Sequence, residues 1–380
     1  MKKIALLAFS MALAATVAGC HKDETTSKDR DLAGVNVAVG ESSRYSKLFV
    51  LNEGAWQKNN ATLDFFRIGD GNYVSDAFSK MNPTVTQGLG DTGNDLALHD
   101  GELWIVMNGS GMVHVVDAFD EELEASIAVP DPRYIAFDDD YAYVSSYAGA
   151  VYGGEPTKGK VYKIDADSYQ VIGSVEVGCQ PEGLDIVDDN LYVANSGGYN
   201  PVHEKTVSVI DLDSFKVVGS VEVASNLKGL KADGLGSYWV STYGEGRYDA
   251  SWNYIQTEAC SLHRVRSGKV TTVAGVHISC MDACDGNLWA IGNDRELEGG
   301  HVLTLYQVSH DLSVKKTEFG GTDLSRVNNP YGILVNPENG DLYIADASYT
   351  DAGKVHCFDK NLKHKWTATA GMLPAHMVLY

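Results

Sequence analysis

The chain has 380 residues, with 51 Asp and Glu against 30 Lys and Arg, a formal net charge of −21 at pH 7. That excess of acid argues against a nucleic-acid partner, whose affinity rests on Lys and Arg neutralising phosphate. It suits a soluble domain held off an anionic surface, and internal repeats assign the length to one domain.

The first residues stand outside that domain. Met1-Lys2-Lys3 is a basic start, residues 4–17 are apolar but too short to span a bilayer, and Ala18-Gly19-Cys20 follows. This is the order of a secretory signal, residues 1–19. The small residues before Cys20 resemble the bacterial lipoprotein cleavage box, which implies lipidation of Cys20 and a membrane anchor. His21-Lys22-Asp23-Glu24 resembles the surface-export signal of Bacteroidetes lipoproteins, and equally suits a solvated tether over residues 20–45. The implied location is the outer membrane, lipid-anchored and facing the exterior.

From Ser46 onward the chain repeats. Leu48-Phe49-Val50, Leu103-Trp104-Ile105, Ala142-Tyr143-Val144, Leu191-Tyr192-Val193, Tyr238-Trp239-Val240, Leu288-Trp289-Ala290 and Leu342-Tyr343-Ile344 recur at intervals of 55, 39, 49, 47, 50 and 54 residues. Most of these runs end in a small polar residue: Asn52, Asn108, Ser146, Asn195, Thr242, Asn293, Asp346. Alternating apolar positions between turn residues are the signature of strands and hairpins. The fullest unit, residues 181–223, holds four such runs. A four-stranded antiparallel unit cannot bury both faces alone, so it stacks on copies of itself. The pattern predicts an all-β seven-bladed β-propeller over residues 46–380. Six units open with an innermost strand, often after proline. The first lacks one, and Pro374-Ala375-His376-Met377-Val378-Leu379-Tyr380 has the missing pattern, so the C-terminal strand is expected to join blade 1 and close the ring.

Chemistry divides between the two faces. Turns on one side are short and acidic, such as Asp165-Ala166-Asp167-Ser168 and Asp211-Leu212-Asp213-Ser214; Asx-type turns explain them better than calcium does. Loops on the other side are long and carry aromatic residues among amides and glycines. They supply Trp56, Tyr152, Tyr199, Arg247, Tyr248, Trp252, Tyr254, Asn293, Arg295 and Tyr349. Long loops without secondary structure cost ordering entropy and are usually functional or disordered, and rigid aromatics with amides give contact area plus orienting hydrogen bonds. The other reading is a lid that seals the blades. At the tops of the innermost strands, Asn94, Arg133, Glu182, Lys228, Ser279, Tyr331 and His376 point to the channel mouth. There the charged ones either neutralise each other or orient a polar ligand.

Enzyme motifs are missing: there is no nucleophile elbow, no HExxH and no phosphate loop. No Cys/His spacing matches zinc. His99, His114, His263, His310 and His356 fall in different blades, as packing or surface residues. Five cysteines besides Cys20 cannot all pair internally. Cys280 and Cys284 share one strand at roughly 13 Å, too far to bridge, which leaves Cys179–Cys284 and Cys260–Cys280 as open pairings.

The LYVAN-type repeats with VSVIDLDSFKVVGSVEV resemble the YncE-like or YVTN surface-layer propellers. LFVLNEGAWQKNNATLDFF from Leu48, PRYIAF from Pro132 and PYGILVNPENGDLYIADA from Pro330 are similar to Bacteroidetes lipoprotein propellers, a group that includes the BtuG-type cobalamin-binding proteins. The resemblance implies a non-enzymatic surface protein without cofactor or metal. It would bind cobalamin or a related corrinoid and pass it to a TonB-dependent outer-membrane transporter. The alternatives are a structural or interaction propeller that binds protein or glycan, and a metal-dependent lactonase or lyase.

Overall fold

Each apolar run forms a strand, and the polar residues between runs turn the chain back on itself. The computed structural model describes residues 32–149, 157–200, 202–248, 251, 254–284, 286–292 and 302–380. Seven antiparallel sheets of four strands or more form a ring, a seven-bladed β-propeller. Blade 4 is the unit that the repeats predict in full: Pro181–Val187, Asn190–Asn195, Thr206–Asp211 and Lys216–Glu222. Successive side chains of a strand point to opposite faces, and both faces of a blade are used. Leu191 and Val193 pack with Tyr143 and Val161 of blade 3, while Tyr192 and Ala194 pack with Tyr238 and Val240 of blade 5. The core is accordingly a set of clusters, one in each junction between neighbouring blades.

The innermost strands crowd together. A Cβ on Gly183 would press on the Leu230 N–H of the next blade, and one on Gly332 would run into the Ala375 carbonyl. Only glycine fits such close approaches of backbone. Aspartates tie alternate pairs of these strands. Asp95, Asp185 and Asp282 each accept a backbone N–H from the next blade, from Ile135 at 3.0 Å, Ala232 at 2.8 Å and Val335 at 3.0 Å.

The small polar residues that end the second strands hold the chain where it crosses between blades. Asn195 accepts the Gly178 N–H at 3.0 Å, Asn108 donates to the Pro132 carbonyl at 3.0 Å, and Asp346 accepts Asn328 and Asn329 N–H at 3.1 and 2.6 Å. His114, His263 and His356 serve the same framework. Each lies on a third strand and bonds a hydroxyl of the fourth strand, Ser126 at 2.8 Å, Thr272 at 3.0 Å and Thr367 at 2.9 Å. The acidic turns are capped as expected: Asp165 and Asp211 each accept the backbone N–H of the serine three residues on, at 2.8 Å.

The ring closes through Pro374–Leu379, which pairs with Lys47–Asn52 as the innermost strand of blade 1. Phe66 of blade 1 packs against Trp366 of blade 7, the rings tilted by 32° with centroids 4.4 Å apart. The N-terminal segment departs from the expected tether. Val35–Asn36 pairs with Asn72–Val74 as a fifth, outermost strand of blade 1. Residues beyond it then pass under the ring to blade 7, where Glu41 meets Lys365 at 2.7 Å and Arg44 N–H bonds Glu338 at 3.2 Å. A second departure lies in blade 5. Its long loop forms a hairpin of its own, Glu245–Tyr248 with Tyr254–Glu258. The cysteine pairings left open do not form: Cys179, Cys260, Cys280, Cys284 and Cys357 make no disulfide with one another. No helix among the described residues is long and apolar enough to cross a membrane.

Deleting residues 374–380 strips blade 1 of its inner partner and exposes an edge. Thermal unfolding is expected about 10 °C or more lower, with aggregation; an unchanged transition would contradict the closure.

Candidate functional site

The innermost strands begin on the face that carries the long loops, so residues at their starts stand at the rim of the central channel: the second residue of the strand in five blades, Ser279 just ahead of Cys280–Cys284 in blade 6, and His376, third in Pro374–Leu379, in blade 1. A cavity of about 620 Å³ opens there, lined among others by Asn94, Arg133, Lys228, Tyr331 and His376. Its walls mix these polar groups with Leu96, Ile135, Leu184, Leu230 and Ile333 further down the strands.

Arg133 and Glu182, on the innermost strands of blades 3 and 4, neutralise each other. Arg133 Nε and Nη2 both donate to Glu182 Oε2, at 3.0 and 2.9 Å. The Tyr147 hydroxyl donates to the other carboxylate oxygen, Oε1, and the guanidinium lies over the Tyr147 ring at 4.9 Å. Burial works against the Arg133 charge, but Glu182 outweighs it and keeps the guanidinium protonated. Tyr134, Tyr147 and Tyr243 are pushed well up by burial and neighbouring acids, so their hydroxyls stay neutral.

A second cluster sits at the closure. His376 of the C-terminal strand lies between Asp95, 3.4 Å from Nδ1, and Glu53, 3.8 Å from Nε2. Tyr331 donates to Glu53 at 3.1 Å, and Asn94 donates to the Arg133 carbonyl at 2.6 Å. Burial would lower His376, yet hydrogen bonds to Asp95 and Glu53 raise it to about 9, so it is imidazolium at neutral pH. The third cluster is on blades 5 and 6. Lys228 donates to the Ser279 carbonyl at 2.5 Å and lies over the Tyr243 ring at 5.2 Å. The Cys280 thiol in the same wall is pushed up to about 11 by burial, which keeps it protonated and a poor nucleophile.

Thus the seven rim positions named from sequence do converge, and Glu53, Asp95, Tyr134, Tyr147 and Tyr243 complete the mouth beside them. The signal for three of these was available: Glu53, Tyr147 and Tyr243 each follow the small polar residue that ends a second strand. Of the loop aromatics, Trp56, Tyr199 and Tyr349 come from blades 1, 4 and 7 and are 61%, 55% and 66% exposed. Tyr199 sits edge-on to Tyr147 at 6.5 Å, beside the mouth. Tyr152, Trp252, Asn293, Arg295 and Cys20 lie outside the described residues, and for Arg247, Tyr248 and Tyr254 only the backbone hairpin is described. Among the described residues no group of three or more His, Cys, Asp and Glu is placed to hold a metal ion.

Residues 47–371 match the family model described as a domain of unknown function, DUF5074. No curated protein matches the sequence. Among solved structures the chain is similar to a candidate 6-phosphogluconolactonase of Bacteroides fragilis, at 14% identity and a TM-score of 0.57 over 90% of this chain and 99% of that one. It is also similar to a quinonprotein alcohol dehydrogenase-like protein of Bacteroides thetaiotaomicron, at 14% and 0.52 over 88% and 78%. AztD of Citrobacter koseri gives 11% and 0.53 over 88% and 97%. At these identities the likeness is one of fold alone.

Two measurements probe the mouth. Glu182→Ala leaves a buried guanidinium without its partner and should cost about 3–5 kcal/mol of unfolding free energy; a loss under about 1 kcal/mol would mean that the pair is idle. The folded value of His376 is raised above the ordinary imidazole value of 6.5. Its ion pairs therefore contribute stability that is complete below about pH 6.5 and lost as pH rises through about 9. Urea unfolding at about pH 6 and about pH 10 should show this loss, and His376→Gln should remove most of it.

Proposed function

We propose that this chain, which belongs to the DUF5074 family, is a non-catalytic capture protein of the cell surface. It binds a broad, amide-fringed ligand of the corrinoid class on the loop face of its propeller. In this reading a lipid on Cys20 anchors it to the outer membrane, and it hands the ligand to a TonB-dependent transporter.

One observation carries the reading. Trp56, Tyr199 and Tyr349, from three separate blades, are presented to solvent on the single face where the channel opens. Aromatics that only sealed the blades would be buried, as Tyr147 is. Large apolar side chains exposed together on one face are characteristic of interaction sites. Between them lies a mouth of paired charges, tyrosines and amides, which suits a ligand that is flat and apolar over its faces and polar around its fringe. An apolar pit would leave such a fringe unpaired at a cost. The mouth is also held in place by hydrogen bonds before any ligand arrives, which lowers the ordering cost of binding.

Calorimetric titration with cyanocobalamin should give a dissociation constant of about 1 µM or tighter. Absence of binding at tens of micromolar would remove the corrinoid. Trp56→Ala and Tyr349→Ala should each weaken binding by about tenfold or more without moving the melting temperature; a lower melting temperature at unchanged affinity would reassign them to the lid.

A further inference from the structure

We propose that Lys228 is the seat for an anionic group of the ligand, a carboxylate or a phosphate, in the wall of the channel mouth. The proposal rests on the ligand-capture reading of this face and adds a charge to the ligand that the aromatic platform alone does not require.

The cations of the mouth differ in their partners. Arg133 is taken by Glu182 through two hydrogen bonds and by the ring of Tyr147. His376 is taken by Asp95 and Glu53. Lys231, deeper along the same strand as Lys228, faces the charges of Asp95, Asp185 and Asp282, which raise it. Those three carboxylates are occupied besides by the backbone N–H groups of Ile135, Ala232 and Val335. Lys228 is different. Its ammonium meets one backbone carbonyl, that of Ser279, and the face of Tyr243, and among the described residues no carboxylate lies within ion-pair distance of it.

An ammonium has three N–H donors, and one carbonyl satisfies one of them. The remainder is directed toward the cavity that Lys228 lines. A cation held at a half-enclosed wall without a counter-charge gains from any anion that arrives, and charge-assisted bonds are the stronger kind. Lysine is a compact point charge, suited to one oxygen of a carboxylate or phosphate. The neighbouring hydroxyls are already engaged, Ser241 by the Gly229 N–H at 2.9 Å and Ser279 with the Ile291 carbonyl at 3.0 Å. The ammonium is therefore the group that selects.

The test uses Lys228→Met, which keeps the stem and removes the charge, and Lys228→Arg, which restores it. Inorganic phosphate titrated against chloride at constant ionic strength should raise the melting temperature of the wild type and of Lys228→Arg, and should leave Lys228→Met unmoved. Equal response of the wild type and Lys228→Met, or no response in either, would overturn the seat. A second arm uses corrinoids. Cyanocobalamin carries a phosphodiester and dicyanocobinamide does not. Lys228→Met should lose about tenfold or more in affinity for the first and keep its affinity for the second. Loss of both alike would overturn the assignment of the phosphate to Lys228. A wild type that responds to phosphate but binds neither corrinoid keeps the anion seat and removes the corrinoid instead, so the two ideas fail separately.

Discussion

A strand edge left open at the inner side of blade 1 would leave the ring a strip with two raw ends. The pairing of Pro374–Leu379 with Lys47–Asn52 prevents it. Every other junction between blades is made by neighbours in the sequence. This one joins the first blade to the last strand of the chain, so it forms only when all intervening blades are in place. The apolar clusters have the same character. Each needs residues from two blades, and a blade alone has no core. Stability and closure are therefore one property, and the channel exists because seven innermost strands must converge once the ring is shut.

Convergence brings charges together that the chain keeps far apart. The mouth handles this by pairing most of them. Arg133 with Glu182, and His376 with Asp95 and Glu53, hold neighbouring blades while they offset the desolvation of each partner. Tyr147 and Tyr331 add hydroxyl donations to Glu182 and Glu53. The result is a rim that is polar but held in place, with Lys228 bonded to a backbone carbonyl rather than to a carboxylate.

The blade pattern was legible because strand alternation is local: Leu191, Tyr192, Val193 and Ala194 state their faces in four consecutive letters. The rim was legible for a related reason, since the repeat puts the start of every innermost strand at one height. What each rim residue does was not legible. Arg133 and Lys228 look alike in sequence; only the neighbouring blade decides that one meets a carboxylate and the other a carbonyl. The hairpin at Glu245–Tyr248 and Tyr254–Glu258 was hidden because its strands are short and interrupted by Gly, Asp, Ser and Asn. The outer strand Val35–Asn36 has only two residues, and its place is dictated by Asn72 and Tyr73 across the ladder, so no pattern of its own announces it.

The segment between that outer strand and the first blade has a mechanical meaning. It crosses beneath the seam of the ring, gripping blade 1 by backbone pairing and blade 7 through Lys365 and Glu338. Tension applied at the N-terminal end would be received by this strap and spread over both blades that flank the seam. Such a load would thus be borne on the underside, and the loop face would keep its shape.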